Sequence, residues 1–218
     1  MDLPPGYLAH ADYKSAEDLA SSLGMDSAEE MFVLKATKDI EETLLSKHDR
    51  KKARTTMDDS ATLTCASDLF NLLQMMKTRP PEEWAIYGDG THGLTFDKRV
   101  LCVFGTIDVG YRKHQRTVTQ SARPFITGWW GVERVIGVEY TMLILVHWSN
   151  RIFGLKLVFR LSVSDFAEAF LNGFKAAFPD IRSLTDYFHV KQNLTVKRDA
   201  LKKLTNEEEH LPLIKEDI

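Results

Sequence analysis

The stretch from Leu155 to Phe178 restricts the fold more than any other part of this chain. Leu155, Leu157, Phe159, Leu161 and Val163 recur at every second position, the period of a strand with one buried face. Ala167, Phe170, Leu171, Phe174 and Phe178 then follow at helical spacing, and Pro179 stops the helix expected over Phe166 to Phe178. A strand that runs at once into an amphipathic helix commits the region to a sheet covered by helices, an α/β layer architecture.

The surrounding residues extend that pattern. Strands are expected from Trp84 to Gly88, from Val100 to Thr106 and from Arg116 to Gln120, separated by short polar turns, which reads as an antiparallel meander. A helix is expected over Val138 to Trp148, and a short strand over Arg182 to Tyr187 leads into a last, basic helix. Residues 1–80 are more polar and mostly helical in pattern, with Ser15 and Ser27 as candidate N-caps. The helix from Ala66 to Met76 carries Leu69, Leu72, Leu73 and Met76, and Pro80-Pro81 ends it and marks the expected domain boundary. The expected organisation is a helical N-terminal extension over 1–80, an α/β domain over 81–204 and a charged tail over 205–218.

With 218 residues and 44% hydrophobic content, the chain can bury a core. Its net charge of -3 gives no global attraction to nucleic acid, so a DNA contact would need a local basic face. Lys47, Arg50, Lys51, Lys52 and Arg54 form one such cluster, either a nuclear-import or DNA-contacting patch or a solvated helix face. Cys65 and Cys102 have no metal-ligand spacing, which suits a reducing compartment. The start lacks a secretory pattern, and no apolar run approaches the ~20 residues of a membrane span, so a soluble protein is expected.

Asp89 and Asp165 each stand where an expected strand runs out. Hard carboxylate oxygens on neighbouring strands are what Mg²⁺ or Mn²⁺ needs for phosphoryl-transfer chemistry. Taken singly, Asp89 reads first as a turn residue and Asp165 as a helix N-cap, and only their shared context favours the metal reading. Trp129-Trp130 reads either as a base-stacking pair or as core, and His92 either as a phosphate contact or as a histidine after a turn.

Asp89-Gly90-Thr91-His92 resembles the opening motif of Mutator-like (MULE) transposase domains, whose first catalytic aspartate ends the first strand of a ribonuclease-H-like fold. The stretch Ser164-Asp165-Phe166-Ala167-Glu168-Ala169, continuing to Ala177-Phe178-Pro179, is similar to that family's second motif. Tyr187-Phe188-His189-Val190-Lys191-Gln192-Asn193 resembles its following CxxH segment, with Asp186 standing where the family has cysteine. The resemblance implies a ribonuclease-H-like mixed sheet with flanking helices, Asp89 and Asp165 as catalytic metal ligands, Mg²⁺ or Mn²⁺ as cofactor, and DNA cleavage and strand transfer in the nucleus. Asp186 and His189 form a candidate second site, and Lys191, Lys197, Arg198, Lys202 and Lys203 are candidate DNA-binding residues. The family's third acidic residue has no convincing counterpart, and Glu207, Glu208 and Glu209 read as a solvated run. The expectation is therefore a truncated or degenerate transposase domain, or else a non-catalytic DNA-binding or protein-interaction module derived from one. A homo-oligomer stays open, and no membrane partner is expected.

Overall fold

The computed structural model describes residues 1–92, 99–112, 117–131, 135–164 and 168–185; for His92, residues 108–112, residues 117–120 and Thr185 it describes the backbone alone. Met1–Leu184 forms one compact unit. Among the described residues its centre is a seven-stranded mixed sheet in the order β1-β2-β5-β4-β3-β6-β7. The strands are β1 (Phe32–Val33), β2 (Ala61–Thr64), β3 (Ala85–His92), β4 (Val100–Arg112), β5 (Thr117–Trp130), β6 (Leu161–Ser164) and β7 (Arg182–Thr185). Among the described residues there are six α-helices: α1 (Ala16–Ser22), α2 (Lys38–Lys47), α3 (Arg50–Asp58), α4 (Ala66–Thr78), α5 (Val135–Phe153) and α6 (Glu168–Ala177).

From β3 to β5 the chain is the expected antiparallel meander, but its last two strands are far longer than the sequence indicates. β4 has 13 residues and β5 has 14, paired from Val100↔Trp130 to Arg112↔Thr117. Pro124 hides this continuity in the sequence, because proline cannot donate to a ladder and is tolerated within a sheet only at an edge or a bulge. Here the register shifts between Phe104 and Gly105, opposite Pro124. A Cβ on Gly105 would lie 2.1 Å from the Arg123 carbonyl oxygen, so the close backbone approach at this bulge requires glycine.

Alternation between Leu155 and Val163 marks burial more than pairing. The strand itself is Leu161–Ser164, while 155–159 form a connector that lies outside the sheet yet buries Leu157 and Phe159. Phe159 stacks on Phe125 at 6.4 Å between ring centroids and meets Phe178 edge-on at 5.4 Å. Those aromatic contacts give a strand-like period to residues that make no ladder.

Two short strands join the helices expected over 1–80, and both belong to the same sheet: β1 pairs with β2, and β2 pairs with β5, each antiparallel. Ser15 caps α1 by accepting from the Asp18 amide at 3.2 Å. Ser27 caps no helix; its carbonyl closes a turn to the Glu30 amide, because residues 27–30 turn towards β1. α4 ends where expected. Arg79 is extended, as the residue before Pro80 must be, and Pro81–Glu83 adds a single 3₁₀ turn leading into β3. The N-terminal arm is tied to the far end of α5: the Tyr7 hydroxyl donates to the Ile152 carbonyl at 3.0 Å and pairs with the Tyr13 hydroxyl.

The sheet has a fully buried face and a partly open one. Ile86, Cys102, Phe104, Ile126, Trp130, Ser162 and Ser164 are buried beneath the helices. Their neighbours Tyr87, Asp89, Thr127, Trp129 and Val163 are half-buried, and Val103 is exposed. Of the tryptophan pair, Trp130 is thus core and Trp129 lies on the opposite face. α6 presses Phe170 and Phe174 onto the buried face, and a Cβ on Gly88 would come within 2.9 Å of both rings. Phe104 meets Phe170 at 5.8 Å and Phe174 at 5.9 Å. No helix among the described residues is long and apolar enough to cross a membrane; α5, the longest, is buried against the protein.

Truncating a buried phenylalanine typically costs about 3–5 kcal/mol. Phe174→Ala is expected to lose stability on that scale in urea unfolding, and Gly88→Val to lose about 1–3 kcal/mol through overpacking. An unchanged unfolding midpoint in either variant would contradict this packing.

Candidate functional site

Asp89 lies within β3 rather than at its end. The sequence closes the strand at Gly88, but β3 continues to His92 because β4 goes on supplying partners: Asp89↔Val103, Gly90↔Cys102, Thr91↔Leu101 and His92↔Val100. On the other edge of β3 lies β6. β6 runs parallel to it with the register Ala85↔Leu161, Ile86↔Ser162, Tyr87↔Val163 and Gly88↔Ser164. Among the described residues Gly88↔Ser164 is the last pair of that register, and Asp89, the next residue of β3, is held by β4 through Val103.

Strand alternation fixes the direction of its side chain. Gly88 faces Phe170 and Phe174 of α6, so Asp89 faces the partly open side of the sheet, beside exposed Val103. This leaves the carboxylate half-buried on a rigid central strand, which suits a hard-oxygen ligand. Ser164, the β6 residue in register with Gly88, directly precedes Asp165 in the chain. Asp165 itself lies outside the described residues, as do Asp186, His189, Lys191, Lys197, Arg198, Lys202, Lys203 and Glu207 to Glu209. Among the described residues no group of three histidine, cysteine or acidic side chains is placed to hold a metal ion.

A second polar centre was not singled out from the sequence. Glu139 on α5 is completely buried, forms an ion pair with Lys47 Nζ at 2.9 Å and is hydrogen-bonded to His48 Nε2 at 2.6 Å. Lys47 also donates to the Ala176 carbonyl at 3.4 Å, so the end of α2 is fastened to both α5 and α6. Lys47, though itself exposed, is thereby tied to the buried carboxylate, and Arg50, Lys51, Lys52 and Arg54 are exposed on α3 as a solvated helix face would be. The signal available in the sequence was a lone carboxylate in the otherwise apolar run Val135 to Leu145, since an acid there needs a buried partner. Next to it, burial pushes the Tyr140 hydroxyl up to about 12, with Glu41 and Asp58 adding to the shift.

Polar side chains also gather at the root of the long hairpin. The Arg79 guanidinium donates to the Thr106 hydroxyl at 3.1 Å, and that of Arg123 to the Asn71 side-chain oxygen at 3.5 Å. Gln74, Met75 and Thr78 complete a cavity of about 240 Å³ with these four.

Models of known protein families, curated proteins and solved structures were all compared with the chain, and none matches it.

Removing one partner of a buried ion pair typically costs about 3–5 kcal/mol, because the remaining charge stays buried. The double substitution Lys47→Met with His48→Ala strands Glu139 and is expected to destabilise the protein on that scale in urea unfolding. Glu139→Gln, which removes the charge itself, should cost less than the double variant. Equal stability of the double variant and the wild type would show that the carboxylate does not depend on these partners.

Proposed function

We propose that this chain is a Mutator-like transposase domain with a ribonuclease-H-like fold, acting on DNA by metal-dependent cleavage and strand transfer. The observation that carries the reading is the β3–β6 pair. Two parallel strands lie side by side in the sheet, and their register brings the chain to Gly88 and Ser164 together, each immediately before one of the two motif aspartates. The order of elements adds support: an antiparallel meander, a helix, a strand parallel to the first, a helix and a strand.

In this reading Asp89 on β3 and Asp165, the residue that follows Ser164 in the chain, would hold the ion. Mg²⁺ or Mn²⁺, when bound, makes a coordinated oxygen a better nucleophile and stabilises the leaving oxygen of an in-line displacement. Asp89 fits such an ion by donor type and by its half-buried place on a central strand. The protein's own contribution is positional. Pairing with β4 fixes the Asp89 backbone, and the α6 aromatics behind Gly88 keep β3 from shifting under a charged ligand. DNA is the partner in this reading, and the nucleus its compartment.

Calorimetric titration with Mn²⁺, run beside a Mn²⁺-dependent nicking assay on supercoiled plasmid, tests this. Wild-type protein is expected to bind Mn²⁺, and Asp89→Ala and Asp165→Ala each to abolish that binding together with any nicking. Mn²⁺ binding that survives both substitutions would overturn the metal site. DNA binding without Mn²⁺ binding would favour a non-catalytic DNA-binding module.

A further inference from the structure

We infer that the cavity at the root of the β4–β5 hairpin binds a backbone phosphate of duplex DNA, with the hairpin itself lying along the duplex. This rests on the DNA reading above and assigns that reading a contact surface far along the chain from the basic segment 191–203. The cavity is lined by Asn71, Gln74, Thr78, Arg79, Thr106 and Arg123, with Met75 as its apolar member. Two guanidiniums meet four neutral hydrogen-bonding side chains there, and none of the lining residues is acidic. Such a set favours an anion with several acceptor oxygens. At about 240 Å³ the cavity has room for a tetrahedral oxyanion with its water, each water taking ~30 Å³.

The arginines are presented by different elements. Arg79 follows α4 and is half-buried, with its guanidinium on the buried Thr106 hydroxyl; Arg123 is exposed on β5. Arg123 in turn donates to the Asn71 side-chain oxygen at 3.5 Å, and each arginine makes at least one further interaction.

The hairpin supplies the reason to choose duplex DNA over a free anion. Pairing of β4 with β3 ends at Tyr87↔Gly105, and pairing of β5 with β2 covers only Thr127 to Trp129. Seven further pairs, from Thr106↔Arg123 to Arg112↔Thr117, then join β4 and β5 to each other beyond those registers. Seven residues of strand span roughly 20 Å, and a two-stranded ribbon of this kind fits the major groove of B-form DNA. Of its described side chains, Ser121, Ala122 and Arg123 on β5 are exposed. The cavity sits at the first pair of this ribbon, where a strand of DNA lying along it would bring a phosphate.

Fluorescence anisotropy of a short labelled duplex, measured across a salt series, tests the assignment. Arg123→Gln is the main variant because Arg123 is exposed; Arg79→Gln is the second, and thermal melting controls for folding. Each is expected to weaken DNA binding roughly tenfold and to lower the slope of log K against log salt by about 1, with Arg123→Lys partly restoring both. Pyrophosphate is expected to compete with the duplex in the wild type and to compete less well in Arg123→Gln. Wild-type DNA affinity and salt slope in both glutamine variants would overturn this contact surface while leaving the DNA reading intact. Failure of the wild type to bind duplex even at low salt would overturn both.

Discussion

Everything placed near Asp89 depends on how closely α6 lies on the middle of the sheet. Gly88 has no side chain, and the rings of Phe170 and Phe174 occupy the space one would need. Phe104 on the adjacent strand closes the same cluster and continues it to Trp130 at 5.9 Å. Aromatic pairs at such separations contribute about 0.5–1.5 kcal/mol each beyond the area they bury. The result is a stiff central strand whose next residue, Asp89, faces the other side. A packing requirement at one position thereby sets the direction of a carboxylate at the next.

Around that centre, polar contacts fasten the outer elements. Glu139 draws the end of α2 onto α5, and Lys47 extends the link to α6 through the Ala176 carbonyl. Tyr7 and Tyr13 secure the N-terminal arm near Ile152. Burial raises the Tyr7 hydroxyl above its ordinary value, with the Tyr13 hydrogen bond adding to the shift, so it remains a neutral donor under ordinary conditions. Residues 1–80 consequently share one sheet and one core with the strands that follow, although their composition differs.

What could be read from the sequence was what strong periodicity or a strong stop signal reports. The α6 aromatics, the end of α4 before Pro80 and the presence of β3 and β6 all follow from patterns that few alternatives imitate. Less was visible where local signals and tertiary context disagree. Pro124 conceals a 14-residue strand because the bulge that accommodates it depends on Gly105 of another strand. Leu157 and Phe159 imitate a strand because aromatic contacts bury them without pairing. Glu139 and Arg79 find their partners at sequence separations of 92 and 27 residues, and no local pattern encodes either contact. At the candidate site the sequence pointed to Asp89, and the β3–β6 register, which no local pattern encodes, pairs the preceding Gly88 with Ser164.

The central claim is that the two motif aspartates share one ion at the edge of the β3–β6 pair. Paramagnetic broadening of backbone amide signals by substoichiometric Mn²⁺ tests it most directly, because the effect reports position. The account predicts broadening centred on Gly88 to Gly90 and on Val163 to Ser164, appearing at the same Mn²⁺ concentration and disappearing together in Asp165→Asn. Broadening at only one of the two strands, or centred elsewhere in the protein, would contradict it.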